Sequence, residues 1–173
     1  MGFLDFLSGN KSKDIVLQTL PKNINELKAM PQSRLNDEFE VAALVVAALC
    51  RYEESMEDSL EMLNFLKGPN PINNSDVQFL RDRLCGKTYK TRSFIAGATP
   101  ENGYTPSFPL TIKVSTNPYS YVDTMATLYL HSGGADSPRP ISLRKKPSTG
   151  QWFVTQFSFL SDIRLPVAEN PWA

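Results

Sequence analysis

The chain has 173 residues, 41% hydrophobic and 21% charged, with eighteen basic side chains balancing eighteen acidic ones. That length fits one domain, and zero net charge leaves no global field to gather nucleic acid or an anionic membrane surface. Two cysteines, Cys50 and Cys85, and one histidine, His131, exclude a disulfide framework and a Cys/His zinc site.

In residues 1–9, Phe3, Leu4, Phe6 and Leu7 fall within two helical turns ahead of Lys11 and Lys13. Such a stub suits contact with a membrane surface, although so short a helix is marginal in water. The segment has neither the basic start nor the continuous apolar stretch of a signal peptide, so a cytoplasmic protein with reduced thiols is expected. Residues 10–14 read as a polar link. Residues 1–20 are therefore taken as an amphipathic stub and linker, and 21–173 as one domain.

Pro21 and Asn23 open a short predicted helix at Ile24–Ala29, stopped by Pro31. Residues 39–50, FEVAALVVAALC, are apolar at every position except Glu40. As a helix rising about 1.5 Å per residue the stretch spans roughly 18 Å, well short of the roughly 30 Å hydrocarbon core of a bilayer. A short helix that is apolar all round belongs at the centre of a domain. Ser55-x-x-Asp58 has the pattern of a capping box and starts a helix burying Leu60, Leu63 and either Phe65 or Leu66, ended by Gly68-Pro69. Ser75-x-x-Gln78 repeats the pattern before a helix with Val77, Leu80 and Leu84 on one face, closed by Gly86.

After Gly86 no further helix is predicted, and apolar/polar alternation takes over. Leu110, Ile112 and Val114 alternate with Thr111, Lys113 and Ser115, and Leu128 and Leu130 with Thr127, Tyr129 and His131. Ile141 and Leu143 alternate with Ser142 and Arg144, while residues 151–160 are apolar on both faces. Residues 147–150, PSTG, make a hairpin turn between the last two strands. Helices first and half-buried strands after predict an α+β fold, about four helices packed on an antiparallel sheet of about four strands. Two long connections, 97–109 and 117–123, carry Tyr104, Tyr119 and Tyr121.

The phrases GATPENGYTP, NPYSY, SGGADSPRPISLRKKPSTGQW and SDIRLP, with AALVVAALC and EMLNFLKGP, resemble an uncharacterised bacterial protein family of unknown function. The resemblance covers nearly everything beyond the first twenty residues. It implies a bacterial soluble domain and brings no activity, cofactor or catalytic residue with it.

For chemistry the residues offer little. His131 is the one side chain that titrates near neutrality unaided. Ser132 and Asp136 stand close to it in sequence, but a triad needs an arrangement in space that adjacency does not supply. The stretch 131–139, HSGGADSPR, reads as a wide hairpin with Gly133 and Gly134 at positive φ; an anion-binding loop assisted by Arg139 is the alternative. The sharper pattern is the sheet's polar face. Lys113, Tyr129, His131 and Arg144 share it if their strands are neighbours, with Tyr104, Tyr119 and Tyr121 on the flanking loops. Bases beside aromatics suit an acidic ligand or peptide.

The leading expectation is thus a non-enzymatic binding domain that holds another protein or a small ligand on that face and the 97–121 loops. No cofactor, metal or nucleic acid is expected. A hydrolase or transferase using His131 as acid/base, and a membrane-peripheral protein held by residues 3–7, stand as the other readings.

Overall fold

Residues 10–173 are described in the computed structural model. Strand β1, Ser12–Leu17, comes first, then helix α1, Ile24–Ala29, and a 3-10 turn at Pro31–Arg34. Four further helices follow: α2, Glu38–Cys50; α3, Met56–Lys67; α4, Asn74–Leu84; and α5, Tyr89–Arg92. The second half holds β2, Leu110–Ser115; β3, Tyr121–Val122; β4, Met125–Leu130; β5, Arg139–Lys146; and β6, Gln151–Gln156. The fold is α+β. Among the described residues the antiparallel sheet runs β1-β2-β4-β5-β6, with β3 paired to β4.

Helix α2 is the hub. Asp37 caps it by accepting from the N–H groups of Phe39 and Glu40, satisfying donors that the first turn leaves open. Every residue from Val41 to Leu49 is buried, and the helix touches β1, β2, β4 and β6 on one side and α3 on the other. Contact on both sides explains why it has no polar stripe. Ser59 of α3 is fully buried, and its hydroxyl donates to the Ala48 carbonyl at 2.8 Å, fastening the two helices.

One of two helix ends is as predicted, and the other is shifted. Helix α3 stops at Gly68, φ 59°, where a Cβ would lie 2.3 Å from the Phe153 ring. Helix α4 is capped by Asn73, not Ser75. Asn73 Oδ1 accepts from Asp76 N–H, and the Asp76 carboxylate accepts in turn from Asn73 N–H. That carboxylate also pairs at 2.7 Å with Lys67, whose side chain is 3% exposed, so the cap ties α4 to the end of α3.

The sheet follows the predicted alternation, with Leu110, Ile112, Val114, Ala126, Leu128, Leu130, Ile141, Leu143 and Val154 buried toward the helices. It has six strands instead of about four. Ser12–Leu17, half of it expected as polar link, pairs along its full length with β2 and buries Ile15 and Leu17. Tyr121 and Val122, expected in a loop, form a two-residue strand on β4.

Residues 151–160 are not one strand. Strand β6 ends at Gln156, and the 3-10 turn Ser158–Leu160 carries Phe157, Phe159 and Leu160 into the core, with Phe159 edge-on to Phe94 at 5.2 Å. That departure accounts for the apolar residues at consecutive positions. A short helix, α5, also lies beyond Gly86, burying Tyr89 and Thr91. The 147–150 turn forms as predicted, with Gly150 at φ 74° and its N–H donating to the Lys146 carbonyl.

The segment ahead of α2 reaches both outer strands. Gln32 Nε2 donates to the Val16 carbonyl, and the Leu35 carbonyl accepts from Trp152 N–H. Each contact occupies an edge group otherwise open to another strand. No helix among the described residues is long and apolar enough to cross a membrane. Phe3, Leu4, Phe6 and Leu7 lie outside the described residues.

Candidate functional site

The β2–β4 register sets Ser115 opposite Tyr129, which makes Lys113 and His131 the next pair along the same face; His131 N–H donates to the Lys113 carbonyl at 3.2 Å. His131 Nε2 and Ser115 Oγ are 2.9 Å apart and hydrogen-bonded. Tyr129 is held by its hydroxyl, which accepts from Asn117 Nδ2 at 3.1 Å, while Asn117 Oδ1 accepts from Tyr119 N–H. Lys113, Ser115, Tyr129 and His131 therefore form one connected polar row, braced by the β2–β3 connection. Tyr119 projects beyond it, 85% exposed.

Burial, and then the nearby Lys113 ammonium, push the His131 pKa below its usual value, with Asp14 acting weakly the other way. Both effects disfavour the imidazolium. The row opens onto two recesses. One, about 410 Å³, is lined by Asn10, Lys11, Ser12, Lys113, Ser115, Thr116 and His131. The other, about 260 Å³, lies between His131–Gly133 and residues 93–99. Lys113 and His131 wall both.

The remaining predicted residues lie elsewhere. Arg144 shares the face but pairs opposite Met125, four residues along β4 from Tyr129 and so roughly 13 Å away at about 3.3 Å per residue. Tyr104 is no part of an open surface. It is fully buried, its ring stacked on Tyr89 at 5.5 Å and its hydroxyl donating to the Arg164 carbonyl, and burial pushes its pKa up to about 12. Tyr121 turns to the other side of the sheet. Its ring meets Trp152 edge-on at 6.4 Å and its hydroxyl donates to Glu38, burial and that carboxylate together raising its pKa.

Arg139 spends its guanidinium within the fold, donating to the carbonyls of Ser137, Ser161 and Asp162 and to Ser137 Oγ. Ser132 donates to Ser93 Oγ, and Asp136 pairs with Arg164 at 2.8 Å, so neither touches His131. The two glycine amides of the 131–139 loop are also engaged: Gly133 N–H donates to the Ser93 carbonyl and Gly134 N–H to Ser132 Oγ. Neither glycine has positive φ. Their need is for space, because a Cβ on Gly133 would sit 1.9 Å from the Ala98 carbonyl oxygen, and one on Gly134 2.2 Å from the Tyr104 hydroxyl.

Sequence reasoning missed Ser115, Asn117 and the Asn10–Ser12 wall. Ser115 was visible as a polar-face residue, but its contact with His131 depends on the β2–β4 register, which alternation alone leaves open. Among the described residues no group of three or more His, Cys, Asp or Glu side chains could hold a metal ion. Of the two free cysteines, Cys50 has its thiol pKa pushed up to about 11 by burial, so it is a protonated and poorly nucleophilic side chain at neutral pH.

A family model described as a domain of unknown function, DUF6935, matches residues 19–167. The chain belongs to this family. The matched span contains the whole Lys113–His131 row and leaves out β1 and Asn10–Ser12. No curated protein and no solved structure matches the chain at a significant level.

Proposed function

We propose that this chain is a non-enzymatic cytoplasmic binding domain that takes an acidic ligand, a carboxylate-bearing segment of another protein or a small anion, on the Lys113–Ser115–Tyr129–His131 row. The observation that carries this reading is the position of Lys113 and His131 on the wall between two recesses. A ligand in either recess meets the exposed Lys113 ammonium and the His131 imidazole, and in the larger one the Ser115 hydroxyl as well. Charged-group hydrogen bonds of that kind are the stronger ones, and the bracing of Tyr129 by Asn117 lowers the ordering cost of binding.

His131 is the only histidine of the chain, so its ring signals in NMR report on the site without ambiguity. Glutamate-rich peptides and small carboxylates and phosphates are titrated in turn. At least one shifts the His131 ring saturably and loses that effect in Lys113→Gln. Equal binding to Lys113→Gln, or no acidic ligand that reaches His131, contradicts the reading.

One contact favours a second reading, acyl-transfer or hydrolytic chemistry. The Ser115 hydroxyl meets the His131 imidazole at 2.9 Å, the pairing a serine nucleophile and its base require. Among the described residues no carboxylate is hydrogen-bonded to the His131 ring to orient it. A fluorophosphonate probe separates the two: Ser115 is labelled if it is a nucleophile, and the binding reading predicts no labelling.

A further inference from the structure

A different end of the sheet holds a third recess, about 280 Å³, between the α3–α4 connection and the β5–β6 hairpin. Its floor and walls are mostly carbon. The Phe153 ring is seated against Gly68, and Pro69 and Pro147 also line the recess. Thr155 and Asn70 are the uncharged polar residues of the lining.

The rim is cationic. Arg144 and Lys146 are two apart on β5, so they share one face about 7 Å from each other. Both are exposed, and neither has an ion-pair partner among the described residues. Lys67, also on the wall, is already neutralised by Asp76 at 2.7 Å. Lys145 points its ammonium over the Trp152 ring, 5.8 Å from the centroid. Two like charges thus stand side by side, uncompensated, above an apolar floor.

We propose that this recess binds a small organic anion with a flat apolar body, an aryl carboxylate or aryl phosphate, its ring resting on Phe153 and its charged group held by Arg144 and Lys146. The volume is close to the lower bound of about 300 Å³ for small-molecule sites and so suits a single ring with its head group. An anion between Arg144 and Lys146 relieves their mutual repulsion, and a guanidinium presents paired donors to a carboxylate or phosphate. The apolar floor gives the ring a contact that an inorganic ion cannot use. The site is independent of the Lys113–His131 row, being some four residues of β4 away from Tyr129.

Phenyl phosphate is the test ligand, with inorganic phosphate and benzyl alcohol as single-feature controls, each titrated into the full chain and followed by amide NMR. The expected result is saturable shifts at Asn70, Lys145 and Phe153–Thr155 with phenyl phosphate, and at least tenfold weaker binding of both controls. Arg144→Gln with Lys146→Gln weakens phenyl phosphate by at least tenfold while leaving the spectrum folded, since both side chains are exposed. Equal binding of benzyl alcohol would show an apolar groove without anion selectivity, and equal binding of phosphate would show surface charge alone. Either result overturns the proposal. So does the absence of shifts at roughly millimolar ligand, or affinity unchanged in the double variant.

Discussion

His131 Nε2 and Ser115 Oγ meet at 2.9 Å between the β4 and β2 sides of the sheet, and burial there, with the Lys113 charge nearby, lowers the pKa of the one histidine of the chain. Burial and the Lys113 charge both disfavour the imidazolium. NMR titration of the ring should give a pKa below the unperturbed value of about 6.5, and Lys113→Gln should raise it. The sign for stability follows. The unfolded chain binds this proton first as pH falls, so His131's contribution is fully present above about pH 6.5 and is lost as pH falls through the lowered folded value. Replacing His131 by Gln should flatten denaturation midpoints across that window; a stability that rises as pH falls there would contradict the account.

Gly133 and Gly134 are tests of packing. Alanine at Gly133 drives a methyl into the Ala98 carbonyl, a backbone group that cannot step aside. A loss of about 1–3 kcal/mol is expected, the usual range for overpacking, measured by urea denaturation. Gly150→Ala meets nothing within 4 Å and should lose less, its cost limited to the positive φ.

Asp76 performs two tasks, closing the capping box of α4 and neutralising Lys67. Asp76→Ala leaves a lysine that is 3% exposed without its counter-charge. Removing one member of a buried pair costs about 3–5 kcal/mol, so a large fall in unfolding free energy is expected. Ser75→Ala, at the position favoured by sequence pattern alone, should change stability by only a few tenths of a kcal/mol, because the cap is Asn73.

Val46 tests the hub directly. It is 0% exposed at the middle of α2, and Val46→Asp places an unpaired carboxylate where no partner is available. The cost, several kcal/mol, is comparable to the whole stability of a domain. Loss of folded protein is expected, and a cooperative melt retained near the wild-type midpoint would remove α2 from the centre of the fold.

What the sequence made legible was whatever depends on local pattern. Ile24–Ala29 and its Asn23 cap, the apolar character of α2, the Ser55 cap and the 147–150 turn all follow from residues within one or two turns of one another. Tertiary contact decided the rest. Asn73 outcompetes Ser75 because Asp76 is drawn to Lys67 of another helix. Strand β1 carries only Ile15 and Leu17 as buried residues, too short an alternation to read without its partner β2. Tyr104 and Arg139 looked available for binding because both lie in turn-rich stretches. Their hydrogen bonds run to Arg164 and to residues 161–162, contacts spanning roughly twenty to sixty positions that no local signal encodes. The polar face was legible as a set of residues, and its division into a Lys113–His131 row and a separate Arg144 end came from the register.

The central claim, that an acidic ligand sits beside Lys113 and His131, is tested most directly by the His131 pKa with and without a bound glutamate-rich peptide. An anion in contact with the ring stabilises the imidazolium, so the pKa must rise on binding, and by linkage the affinity must increase as pH falls. A rise that disappears in Lys113→Gln is the predicted result. A bound peptide that leaves the His131 pKa where it was would contradict the account.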